Sequence, residues 1–136
     1  MARVLAIDYG KKRTGLAVTD PLQIIASPLE TVQTHQLMNY LKKYLEKENV
    51  EAFVIGMPKN LQNRDTDSTA SVRSFIRNLK KSMPAVPVVE IDERFTSKIA
   101  SQAMVLGGMK KSERRIKENV DKLSATIILQ SYLESR

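Results

Sequence analysis

The chain has no cysteine, a single histidine, only five glycines and five prolines, and few aromatics, at 5%. Without thiols it forms neither disulfides nor a thiolate zinc site, and His35 alone excludes a multi-histidine metal centre. The longest apolar runs, such as VLAI and AFVIGM, fall far below the roughly 18 residues that a membrane span needs. In MARVLAIDYG an acid stands where a signal peptide requires continued apolar residues, so a cytoplasmic protein with no membrane partner is expected. The scarcity of aromatics beside the basic residues argues against a base-stacking platform. His35, in QTHQ just ahead of a helix, reads as a capping or surface residue.

What is present is a basic, moderately apolar chain. Its 136 residues suit one domain spanning 1–136, and 42% hydrophobic content covers both faces of a modest sheet. Twenty-two Lys and Arg against fifteen Asp and Glu leave a net charge of +7. That balance points to a polyanionic partner, nucleic acid above all.

Hydrophobic periodicity sets out the elements. Val4 to Asp8 and Gly15 to Thr19 read as a hairpin around YGKKRT, and IIASPLETV as a third, edge strand that tolerates Pro28. Leu37, Leu41, Tyr44 and Leu45 recur at helical spacing between Gln36 and Glu48. EAFVIGMP is a buried strand. Val72, Phe75, Ile76 and Leu79 form the stripe of a second helix, and AVPVVEI is the fifth strand. Thr96 or Ser97 can cap a helix through Met104. GGMKKSERRIKEN, with its glycines and dense charge, reads as a mobile basic loop. The last helix is expected from about Val120 to Leu133, with Val120, Leu123, Ile127 and Ile128 in register and the small Ser124 and Ala125 allowing close approach. This order predicts an α/β fold with a mixed sheet and helices on both faces.

Three acids fall at element ends: Asp8 closes the first strand, Glu93 follows the fifth, and Asp121 lies in the first turn of the expected last helix. The crevice beyond the strand ends is the ligand site of an open α/β sheet. Carboxylates gathered there repel one another unless hard divalent cations, Mg²⁺ or Mn²⁺, bind between them. Two such ions about 4 Å apart stabilise the attacking and leaving oxygens of phosphodiester hydrolysis, a chemistry that needs neither histidine nor cysteine. Plainer roles exist for each acid: Asp8 as a turn residue, Glu93 paired with Arg94, and Asp121 favoured at a helix N-terminus.

Lys11, Lys12 and Arg13 follow Asp8 at the hairpin tip, and Lys110, Lys111, Arg114, Arg115 and Lys117 crowd the late loop. With Arg94 they can hold phosphates around the acids, or form solvated charge runs. GKKRTG is no phosphate loop, because Leu16 follows the second glycine where a Walker motif has Lys-Ser/Thr.

Together, LAIDYGKKRTGLAVTD, FVIGMPKN, EIDERFTS and VDKLSATIILQSYL resemble the YqgF family, also called RuvX, of Holliday-junction resolvase-like or pre-16S ribosomal RNA nucleases. The resemblance covers essentially the whole chain. It implies a ribonuclease H-like fold with a mixed five-stranded sheet. It also implies an acidic catalytic and metal site at Asp8, Glu93 and Asp121, and processing of the 5′ end of precursor small-subunit ribosomal RNA. The chain departs from the family after GMPKN, where LQNRDTDSTAS replaces an Asp-Gly turn. Alternatives are a four-way-junction DNA resolvase, which would need a dimer, and a non-catalytic nucleic-acid-binding module. An ATPase of the actin superfold would need a second domain. A monomer or weak homodimer acting on structured precursor RNA is the expected form.

Overall fold

The computed structural model describes residues 2–57, 67–92 and 113–134. β1 (Arg3–Asp8) turns back through residues 9–12 into β2 (Arg13–Thr19), and β3 (Ala26–Gln33) follows. A 3-10 turn at Thr34–Gln36 leads to α1 (Leu37–Lys47), β4 (Val50–Met57), α2 (Asp67–Ser82), β5 (Val88–Asp92) and α3 (Glu113–Glu134). The five strands form one sheet in the order β3-β2-β1-β4-β5. β1 and β2, and β2 and β3, run antiparallel, whereas β4 runs parallel to β1 on one side and to β5 on the other. This is the mixed sheet expected from the order of elements.

Strand alternation divides the core into two layers. Leu5, Ile7, Leu16, Phe53 and Ile55 face α1 and α2, meeting Leu37, Leu41, Val72, Phe75, Ile76 and Leu79. Val4, Ala6, Ala17 and Val54 face α3, meeting Ala125, Ile128 and Leu129. Burying each large apolar side chain of these layers contributes about 1.5–3 kcal/mol. Alanines on both sides of the second layer, with Ser124 only 1% exposed beside them, let α3 lie close to the sheet. Helices cover both faces, as predicted.

At β3 the register slips: Leu16 pairs with Glu30 but Ala17 with Pro28, so Leu29 is the extra residue of a bulge. Pro28 has no N–H to contribute and is accommodated beside that bulge on the edge strand. At the start of β1, the buried Thr19 hydroxyl accepts the Val4 N–H at 2.9 Å, where the β1–β4 register also shifts. Arg3 pairs there with Glu48 at 3.2 Å, both side chains part-exposed, a contact worth at most about 1 kcal/mol.

Three expectations are corrected. Ile24 and Ile25 do not join β3: the Asp20 carboxylate accepts both of their N–H groups, each at 2.8 Å, and closes a loop instead. α3 begins at Glu113, so Arg114, Arg115 and Lys117 belong to a helix rather than a mobile loop. ERRIKEN contains strong helix formers and no glycine or proline, and its turns carry no apolar stripe to announce them. The buried stripe of α3 holds the expected Ser124, Ala125 and Ile128 together with Leu129, whereas the expected Leu123 and Ile127 are only half-buried. The helix expected through Met104 lies outside the described residues. Among the described residues no helix is long and apolar enough to cross a membrane.

Candidate functional site

Asp8 is the last residue of β1, half-buried, and directly opposite Gly15 of β2. On the other side β1 and β4 run in register as far as Ile7 and Ile55, so the next residue level with Asp8 is Gly56. Laterally paired residues share a face, and alternation from Ala6, Ala17 and Val54 puts this row on the face covered by α3. The acid is therefore flanked on both neighbouring strands by residues without side chains. Both glycines are themselves buried, so this shelf beside the carboxylate is a covered row without side chains.

The direction of α3 matters to this shelf. Its C-terminal residues Gln130, Leu133 and Glu134 border a cavity with Ile24, Ile25 and Ala26, at the end of the sheet where β2 passes to β3. That is the Val4 end of β1, since Thr19 bonds Val4. α3 thus runs antiparallel to β1, its N-terminal half toward the Asp8 end. From the cluster that Ala6 and Ala125 share, Asp8 is two strand residues away and Asp121 four helical residues away, both spans being about 6–7 Å. Backbone placement brings these two distant acids to one end of the sheet. β5, parallel to β1 through β4, ends on Asp92 at that same end.

The turn beyond Asp8 is built to hold its shape. A Cβ on Gly10 would collide with the Arg13 carbonyl oxygen, so the turn closes only with glycine there. The Thr34 hydroxyl donates to the Gly10 carbonyl at 2.6 Å, and it lies 3.0 Å from the Thr14 hydroxyl. Having spent its proton on Gly10, Thr34 must accept from Thr14. The Gly10 N–H in turn reaches Thr14 Oγ1 at 3.5 Å, closing a ring of hydrogen bonds. The Thr34 N–H also donates to the Lys12 carbonyl at 3.0 Å. Lys11 and Lys12 stand exposed on this pinned tip, and Arg13 is half-buried at the start of β2.

Thr14 and Thr34 were absent from the sequence-predicted site. Only a register that places residues 20 apart side by side could reveal them, although a threonine directly after KKR was a signal at hand. Of the other predicted residues, Glu93, Arg94, Lys110 and Lys111 lie outside the described residues. Arg114, Arg115 and Asp121 are positions on the backbone of α3. Among the described residues no three His, Cys, Asp or Glu side chains gather into a metal-binding group. His35 is exposed in the 3-10 turn, in keeping with a surface role.

Beside Tyr9 a groove of about 450 Å³ opens against α2, lined by Tyr9, Ala70, Ser71, Ser74, Phe75 and Asn78. The Tyr9 and Phe75 rings stack at 4.8 Å between centroids and 22° between planes. Two of the few aromatics therefore meet directly after the acid.

Comparison with known proteins places the chain in a family and a fold. The family described as "RuvX: Holliday junction resolvase" matches residues 2–135. A protein of Phocaeicola vulgatus named "Putative pre-16S rRNA nuclease" is 56% identical over 136 residues, covering 100% of this chain and 98% of that one. A protein of Bacteroides thetaiotaomicron with the same name is 51% identical, covering 100% and 99%. Among solved structures, Thermus thermophilus RuvC in complex with a Holliday junction substrate superposes with a TM-score of 0.59 at 19% identity. That match covers 99% of this chain and 96% of RuvC, and the shared fold is the ribonuclease H-like one.

Proposed function

The chain belongs to the RuvX family, and we propose that it is a nuclease hydrolysing phosphodiester bonds in structured precursor ribosomal RNA, at the 5′ end of the small-subunit sequence. The observation that carries this reading is the position of Asp8: a strand-end acid beside a side-chain-free shelf, with two exposed lysines on a rigid turn immediately after it. A phosphate approaching the shelf meets cations first, and the lysines orient it without reading its sequence. The names of the relatives support RNA as the substrate.

Asp8, Glu93 and Asp121 are the residues proposed to hold Mg²⁺ or Mn²⁺. Carboxylate oxygens suit a hard divalent cation, and the all-oxygen donor set of this cysteine-free chain fits one. When bound, the metal supplies the charge neutralisation and Lewis acidity that in-line hydrolysis needs. Asp8 fixes one side of the reacting phosphate's environment, and Lys11 and Lys12 bind the backbone. Arg94, Lys110, Lys111, Arg114 and Arg115 would extend the basic track. The same acids would serve a resolvase of branched DNA, the activity in the family's description.

The test is side-by-side incubation of a precursor 16S RNA fragment and a four-way DNA junction with the purified chain and with Asp8→Asn, in Mg²⁺ and in Mn²⁺. RNA cleavage by the parent, and none by a variant of equal melting temperature, is expected. Cleavage of the junction alone would overturn the substrate, and an equally active variant would overturn the site. A catalytic centre should also gain thermal stability on Mg²⁺ titration by ligand linkage, which a binding module without the site would not.

A further inference from the structure

We propose that the groove between Tyr9 and α2 is a subsite for an unpaired nucleoside adjoining the phosphate held at Asp8. The inference rests on the nuclease reading, and it assigns part of the substrate to a surface outside the acidic cluster.

The lining is chemically selective. Ser71, Ser74 and Asn78 fall at positions i, i+3 and i+7 of α2, so one side of the helix carries two hydroxyls and an amide into the groove. Tyr9 closes it opposite. Among the described residues, none that lines the groove carries a charge. A phosphate selects cations, which here stand on the β1–β2 turn, whereas neutral groups that both donate and accept match base edges and ribose hydroxyls. No hydrogen bond within the described residues engages the side chains of Tyr9, Ser71, Ser74 or Asn78.

Size and rigidity agree with that ligand class. A groove of about 450 Å³ falls within the range of small-molecule sites, about 300–1,000 Å³. Stacking on Phe75, itself 7% exposed and anchored in the core, makes Tyr9 a fixed wall. Tyr9 follows Asp8 directly, about 3.8 Å from Cα to Cα. Asp8 lies on the α3 face and Tyr9 on the α2 face, so a strand with one phosphate at the acid would pass over the end of β1 to seat a neighbouring nucleoside in the groove. Inside a duplex that nucleoside would be stacked and paired, so the groove favours an unpaired end or junction.

The experiment scans single abasic substitutions through a short RNA containing the cleaved bond, using the full chain. Equilibrium binding is measured without divalent metal, and kcat/KM with it, for the parent and for Ser74→Ala/Asn78→Ala. Both substituted residues are exposed, so folding is retained. In the parent, one abasic position next to the cleaved bond should weaken binding about 10-fold, in line with roughly 1–3 kcal/mol per contacted base. In the double variant the same lesion should cost less than about 2-fold, because the two effects are coupled. A flat profile, or an unchanged penalty in the variant, overturns the subsite. Position-specific binding without any cleavage would sustain the subsite and overturn the nuclease reading.

Discussion

Asp8 and Gly15 face each other across the β1–β2 ladder, so the acid at the end of the first strand has no side chain beside it on β2. Valine at position 15 suits a strand, and because Gly15 is buried its methyl groups would crowd the row beside Asp8. Gly15→Val should lower the melting temperature, at an overpacking cost of about 1–3 kcal/mol, and, where circular dichroism shows the variant folded, lower kcat/KM on the order of 100-fold, the scale of a 1 Å misplacement of substrate. Full activity in a folded variant would mean that the substrate does not use the shelf.

The threonine ring predicts a graded response. In Thr34→Val the Gly10 carbonyl loses its donor and the fully buried Thr14 hydroxyl loses its acceptor, at a cost of about 1–3 kcal/mol. Thr34→Ser keeps the hydroxyl and should restore both stability and the parental KM. Denaturant melts with steady-state kinetics check this, and equal behaviour of the two variants would refute the ring.

Lys11 and Lys12 should act by neutralising phosphates. Lys11→Ala/Lys12→Ala is expected to lower RNA affinity evenly across sequences and to flatten the plot of log K against log salt by about one unit for each phosphate no longer neutralised. A parental slope would remove these lysines from the interface.

Asp20 offers a test by pH. The Ile25 N–H, then the Ile24 N–H, bonds its carboxylate and holds its pKa below the ordinary carboxylate value. The folded value lies under the unfolded one, so the loop gains stability above about pH 4 and loses it as pH falls through the folded value. In an NMR titration the Ile24 and Ile25 amide shifts should move together, with a midpoint below about 3.9. A midpoint at or above that value would refute the contact.

Periodicity made most of this fold readable. Short β-branched-rich segments marked β1 and β2, a continuous apolar run marked β4, and the stripes at Leu37/Leu41 and at Val72/Phe75/Ile76/Leu79 marked α1 and α2, because burial demands those patterns. The start of α3 was hidden because charged residues satisfy a helix without an apolar stripe. Ile24 and Ile25 looked like strand residues by their β-branching, until a nearby carboxylate claimed their amides. Asp8 could be chosen from its place at a strand end. Its glycine neighbours required the register, and the Thr14–Thr34 bond required knowing that β3 ends beside the turn.

The slip at Leu29 has a consequence for how copies of the molecule meet. A straight outer strand would invite another chain to hydrogen-bond along its length. Here the missing amide of Pro28 and the local kink break that template midway. The β3 border of the sheet is thus made a poor seed for fibre growth.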